Sequence, residues 1–382
     1  MAGSIRQRGE RSWELRVYAG RDPESGRKQY VTRTVKGSKR EADRALSRLV
    51  GQVDDGVITA KSGTVGELME RWYARGELEW SPTTADGYRS LLDRRILPRW
   101  GNVSLRRLKP ADLDAWYGEL RRRGAAGGKP LAANSVKRIH AVLHTALEQG
   151  LKWGWLATNP AAAATPPQPK TKPKSSIPSP AEVGRLIGAA GDVNEALPVF
   201  LRVAAATGAR RGEVCGLRWN DVDLDASTLT IRRSIAGTRH QGVIEKDTKT
   251  HAERRISLDA GTVASLEEHR RSTVAFVERC GGELEPDAFV FSHQADGSAP
   301  WRPDYVSLAF TRLRERCGLD GVRLHDLRHF NATSLLASGT DIRTVSGRLG
   351  HADASTTLDI YAHFVHQADE HAAGNIGAVL DG

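Results

Sequence analysis

The stretch Arg323–Gly339, "RLHDLRHFNATSLLASG", decides how this chain is read. His325 and His329 stand four residues apart, a spacing that puts both on one face of a helix. The zinc peptidase signature H-E-x-x-H has the same spacing. Here, however, Asp326 stands where that signature has its general-base glutamate, and Arg328 lies three residues after His325 on the same side. A permanent cation beside a divalent metal opposes metal binding. The stretch therefore offers two readings, a zinc hydrolase or a site for an anion, and the rest of the chain must choose.

The bulk charge favours the anion. The 382 residues hold 56 Lys+Arg and 46 Asp+Glu, a formal net charge of +10. Residues 1–50 alone carry 13 Lys+Arg against 6 Asp+Glu, 13 − 6 = +7, so most of the excess sits in one small segment. A basic chain of this kind points to a polyanionic partner, with nucleic acid first. Cys215, Cys280 and Cys317 are widely spaced and form no CxxC pair, which argues against a disulfide framework or a structural zinc site. The first residues, "MAGSIRQRGERSWEL", have no apolar core of a signal peptide. No run of about 18 apolar residues occurs that could span a membrane. The expected location is the cytoplasm of a bacterial host, in association with the nucleoid.

Periodicity divides the chain into parts and predicts a multidomain α+β protein. In 1–58, "SWELRVYAG" alternates, with Trp13, Leu15 and Val17 on one face and Glu14, Arg16 and Tyr18 on the other. With "QYVTRTVKG" and a shorter "SIRQRG" this predicts a three-stranded sheet, followed by a helix capped at Ser38. Residues 62–162 read as an all-helical bundle. Thr64 and Glu67 form a capping box, Pro82 and Pro110 open helices, and Val136, Ile139, Val142, Leu143 and Leu147 make one apolar face. Arginines and lysines lie between the core positions. Residues 163–180 form a linker; from Thr165 to Pro180 it holds six prolines and three lysines. Residues 181–382 alternate helices with a few strands, predicting a mainly α domain with a small antiparallel sheet.

Four segments of this last part carry unusual chemistry: "TGARRGE" with Arg210 and Glu213, "DTKTHAERRISL" with Lys249, "HDLRH", and "GRLGHADASTTLDIYAHF" with His351 and Tyr361. An arginine fork matches phosphate oxygens, and two such arginines can neutralise a pentavalent phosphorus. A tyrosine hydroxyl needs an electropositive pocket to attack at neutral pH. Histidine can move its proton, and lysine can protonate a poor alkoxide leaving group. Such a set can cleave a phosphodiester covalently with neither metal nor ATP.

In order and spacing the four segments resemble the catalytic boxes of the tyrosine recombinase (phage integrase) family. Residues 64–158 are similar to the family's core-type DNA-binding domain, and the first 55 to its arm-type DNA-binding sheet. The resemblance implies site-specific recombination, the integration or excision of a phage or mobile element through a 3′-phosphotyrosine. By position, Tyr361 is the nucleophile, Arg210 and Arg328 clamp the scissile phosphate, and Lys249 is the general acid toward the 5′-oxygen, with Lys246 three residues away as the alternative. His325 assists proton transfer, His351 bonds the phosphate and Glu213 orients Arg210. Arg6, Arg8, Arg16, Arg94, Arg95, Lys137 and Arg138 are the candidate DNA contacts outside the catalytic part. Ala209 and Phe330 depart from the usual residues at their positions without removing a catalytic group. The implied partners are double-stranded attachment sites of core and arm types, a homotetramer in the synaptic complex formed from monomers in solution, an excisionase and a host DNA-bending protein. No metal and no cofactor is implied. The segment after Tyr361 is a candidate for docking on a neighbouring protomer. His329 is assigned a supporting role and Trp219 a packing one. A zinc hydrolase and a non-enzymatic DNA-binding regulator are the competing classes.

Overall fold

The computed structural model describes residues 3–21, 28–54, 63–169, 177–238, 242–247 and 253–350, with 376, 377 and 380 in the tail. The chain divides into two compact units, Met1–Lys172 and Pro173–Gly382.

The first unit contains two separate apolar cores. Strands β1 (Gly3–Gly9), β2 (Ser12–Arg21) and β3 (Lys28–Lys36) form an antiparallel sheet in that order, backed by helix α1 (Lys39–Asp54). The register sets Leu15 opposite Ile5 and Arg33, and Val17 opposite Val31. Because side chains alternate along a strand, Leu15 and Val17 face α1 and pack with Ala42, Leu49 and Val53. Ser38 caps α1: its Oγ accepts from the Glu41 N–H at 3.3 Å, and Glu41 Oε2 accepts from the Ser38 N–H at 2.7 Å.

The second core belongs to helices α2 (Val65–Gly76), α3 (Pro82–Leu91), α4 (Leu97–Trp100), α5 (Pro110–Arg123) and α6 (Ala133–Lys152). Thr64 and Glu67 cap α2 reciprocally. The five apolar positions of α6 are buried against residues such as Leu68, Met69, Trp72 and Trp116. Each such side chain contributes about 1.5–3 kcal/mol relative to exposure, so the face rather than helix propensity holds α6 in place. A single π-helical turn, Leu92–Ile96, joins α3 to α4 and carries Arg94 and Arg95. Ala164 still packs in this core.

The second unit opens with α7 (Pro180–Ala190), capped by Ser179, then α8 (Leu197–Thr207) and the short α9 (Arg211–Cys215). Strands follow: β4 (Val222–Asp223), β5 (Thr228–Ile231), β6 (Arg233–Thr238), β7 (Gly242–Asp247) and β8 (Arg254–Ser257). They make two antiparallel sheets, β4-β5-β8 and the hairpin β6-β7. Helices α10 (Ala260–Arg279), α11 (Pro303–Arg316), α12 (Asp326–Ala337) and α13 (Ile342–Leu349) complete the described part. Helix α8 is central, packed by α7, α10 and α12. Phe200, Phe291 and Trp301 interlock beside it, and Trp219 is buried in the same core. The architecture is mixed α+β.

Three details differ from the periodicity reading. Residues 196–217, expected as continuous helix, break after Thr207, where Gly208 takes a left-handed φ of 63°. Helix α12 starts at Asp326, so His325 is its N-cap rather than part of its first turn. Strand β7 was not expected at all; its six residues are too short and too polar to give a period.

Candidate active site

Two helix ends create the site. Helix α8 stops at Gly208, which takes a left-handed φ of 63°, and a Cβ there would meet Leu349 Cδ2 at 2.5 Å and Asn331 Oδ1 at 2.9 Å. The chain then turns so that Arg210 precedes α9 as its N-cap. Glu213, one turn into α9, is 1 % exposed. Its Oε2 accepts from the Arg210 N–H at 2.8 Å, and its Oε1 accepts from Arg210 Nη1 at 2.8 Å. Arg254 of β8 approaches the same carboxylate, with Nη2 2.5 Å from Oε2 and Nη1 3.4 Å from Oε1. Burial pushes the Glu213 carboxyl up, but Arg254 and then Arg210 outweigh it, so the group is held below the ordinary carboxylate range and is ionised.

The second end is that of α13, which closes at Gly350 with φ 69°. The last carbonyls of a helix lack partners within it and carry the negative end of its dipole. Here three successive carbonyls each meet a different arginine. Arg348 O accepts from Arg254 Nε at 3.0 Å, Leu349 O from Arg328 Nη1 at 2.8 Å, and Gly350 O from Arg210 Nη2 at 3.2 Å. Arg328, buried to 4 % exposure on α12, also donates to Gly208 O at 2.8 Å. Asn331, one turn further along α12, donates to Ala205 O and Ala206 O at the end of α8. Arg348 reaches Ala206 O and Ser257 O. The carbonyl ends of α8 and α13 thus converge on Arg210, Arg254 and Arg328.

His325 is at the surface beside this cluster, its ring 5.0 Å from that of His329. Its pKa is pushed down to about 4, first by enclosure among neighbouring atoms, then by His329 and Arg328, with Asp326 opposing and Arg210 adding to the fall. Water reaching the exposed ring screens part of this field, and the ring is neutral at pH 7. His329 is also lowered, mainly by burial. A neutral His325 can accept a proton.

The structure therefore brings together Arg210, Glu213, His325 and Arg328 from sequence positions far apart. Lys249, His351 and Tyr361 lie outside the described residues, as does almost all of the tail. Lys246 is half-buried on β7. Arg6, Arg8, Arg16, Arg94, Lys137 and Arg138 are exposed and Arg95 is half-buried, all remote in sequence from this cluster. Sequence reasoning missed Arg254, Asn331 and Arg348. For Arg254 a signal existed: it alternates with buried Ile256 on β8, and an arginine on the inward face of a strand requires a carboxylate. Among the described residues no group of three or more His, Cys, Asp or Glu could hold a metal. Among them also, no helix is long and apolar enough to cross a membrane.

Arg210 and Arg254 share the Glu213 carboxylate and Arg328 bonds the same helix end, so these four groups sum to a formal charge of 3 − 1 = +2. That matches the charge of a phosphodiester as it becomes pentavalent. Comparison with known proteins agrees with this chemistry. Residues 179–368 match the phage integrase family, and residues 64–121 match the phage integrase N-terminal SAM-like domain. The tyrosine recombinase XerC of Xanthomonas campestris pv. campestris is 30% identical over 308 residues, covering 78% of this chain and 84% of its own. The ICEBs1 integrase of Bacillus subtilis is 22% identical over 378 residues, covering 99% of this chain and 100% of its own. In fold, the chain is similar to the Tn1549 transposon integrase, solved in complex with a circular intermediate DNA. That protein is 19% identical, with a TM-score of 0.67 over 82% of this chain and 100% of its own. The chain belongs to the phage integrase family, the tyrosine recombinases, and is a site-specific enzyme that cuts and rejoins DNA.

Proposed function

We propose that this enzyme integrates and excises a phage or other mobile element, with Tyr361 as nucleophile and the arginine cluster as its phosphate clamp. The observation that carries the reading is the convergence of Arg210 and Arg328 on one turn, α13's end, immediately before His351 and eleven residues before Tyr361. Arg210 and Arg328 hold the scissile phosphate and offset its growing charge. The Tyr361 oxygen attacks phosphorus and its proton passes to His325, which is neutral and able to take it. The bond from phosphorus to the 5′-oxygen breaks, and Lys249 protonates that oxygen, with Lys246 as the alternative donor. His351 hydrogen-bonds the phosphate. The 3′-phosphotyrosine keeps the energy of the broken bond, so the reverse attack by a 5′-hydroxyl rejoins the strand without ATP or metal.

The remaining assignments concern DNA. On the sheet face away from α1, the register groups Arg6, Arg16, Tyr18 and Tyr30, with the Arg16 guanidinium 3.8 Å above the Tyr30 ring. Arg8 pairs with Glu14 on that face. This basic, aromatic surface suits arm-type sites. In the helical bundle, Arg94, Arg95, Arg99 and Arg123 line a cleft of about 390 Å³, a place for backbone phosphates of the core site. Lys137 and Arg138 on α6 are further core-site contacts. Exchange between two duplexes cuts four strands, and one tyrosine cuts one, so four protomers form the synapse. An excisionase and a host bending protein set its direction.

The test is a suicide duplex carrying the attachment core, identified from direct repeats flanking the element. Incubation should trap a covalent protein–DNA complex that Tyr361→Phe abolishes while DNA binding persists. A complex that survives in Tyr361→Phe would remove the proposed nucleophile.

A further inference from the structure

Arg254 lies in the second of the four segments, five residues after Lys249, but has no assigned role there, and it is the more enclosed of the two arginines that share Glu213. Its side chain is 9% exposed, against 27% for Arg210. Its Nε, Nη1 and Nη2 are all used inside the protein, on Arg348 O and on both oxygens of Glu213. It is therefore turned away from any phosphate that Arg210 grips. Its effect is on its neighbours. Both Glu213 oxygens accept from both arginines, so the carboxylate is divided and cannot close a full two-pronged fork on Arg210. Arg210 spends one donor on Glu213 and one on Gly350 O. Among the described residues, that engages two of its five N–H donors. The same Arg254 holds the Arg348 carbonyl, and so fixes the turn whose next two carbonyls bind Arg328 and Arg210.

We propose that Arg254 is a positioning residue for the phosphate clamp: it keeps Glu213 from consuming Arg210 and sets the α13 turn that aims Arg210 and Arg328. The proposal rests on the reading of Arg210 as a phosphate ligand.

A pair of suicide duplexes tests it, one with an ordinary scissile phosphodiester and one with a methylphosphonate there, which lacks the negative charge. The full chain is used, with Arg254→Gln, Arg254→Lys and Arg210→Ala. Misaimed clamping should lower covalent-complex formation by about 10²-fold in Arg254→Gln on the phosphodiester. Most of that loss should disappear on the methylphosphonate, because a neutral phosphorus needs less of the clamp. Arg254→Lys, which keeps Glu213 paired but lacks the fork, should fall between and show the same substrate dependence. It decides the matter if Arg254→Gln does not fold. Equal losses on both duplexes would mark Arg254 as merely structural, and unchanged cleavage would remove it from the mechanism. Either result overturns the proposal. Arg210→Ala separates the two levels. If it cleaves normally, the clamp reading itself fails. If it loses cleavage while the Arg254 variants keep it, only the role of Arg254 fails.

Discussion

His325 shows how one side chain records the site's charge. Its pKa in the folded chain is about 4, below the ordinary value of 6.5. The unfolded chain therefore binds the proton more readily between those values, and the sign follows. Stability is full above pH 6.5 and is lost as pH falls from 6.5 toward 4. Denaturant unfolding followed across that window should show a steeper loss for the native chain than for His325→Gln. Equal slopes would mean that enclosure, His329 and the arginines together do not lower this ring's proton affinity in the fold. At the same scale, the sequence paired Arg210 with Glu213 and singled out Arg328, and the structure sets all three at the same helix ends. Arg254 was passed over, although it stands two residues before Ile256 on the inward side of a strand, because its partner Glu213 lies 41 residues away. A motif names residues that act on the substrate; residues that act on each other leave a fainter trace.

At the level of elements, the caps and proline starts were legible because they rest on local hydrogen bonds, as at Thr64–Glu67 and Ser38–Glu41. The break between α8 and α9 was not, because "AATGARRGEV" retains an apolar period across it. What keeps glycine at that break is tertiary: Leu349 and Asn331 occupy the space a Cβ would need. Gly208→Ala should therefore cost the left-handed backbone, about 1–2 kcal/mol, plus the displacement of those two side chains. The melting temperature should drop and covalent cleavage should fall, since the Gly208 carbonyl also holds Arg328. A variant that melts and cleaves like the native chain would show that the turn is tolerant and only incidentally glycine.

Across the whole molecule, the mixed α+β character was legible from period. The mutual service of its parts to one reaction was not, because no local signal links them. The sheet with α1 has a core of its own, built on Leu15, Val17 and Leu49 and separate from the bundle's. Removing residues 1–58 should accordingly leave the bundle folded. The shortened chain should still form the covalent complex on a core duplex, yet fail to recombine plasmids whose sites include arms. Loss of both activities together would place the sheet inside the cleavage machinery. The long spans of the cluster have a further consequence, in time rather than in space. Arg210 meets Gly350 across 140 residues and Arg328 meets Gly208 across 120. Contacts that close such long loops form late, after the local helices that carry them. A partly made or partly folded chain can then already carry its basic surfaces to DNA while lacking a working clamp. The clamp is thus tied to completion of the fold that brings α8, α12 and α13 together.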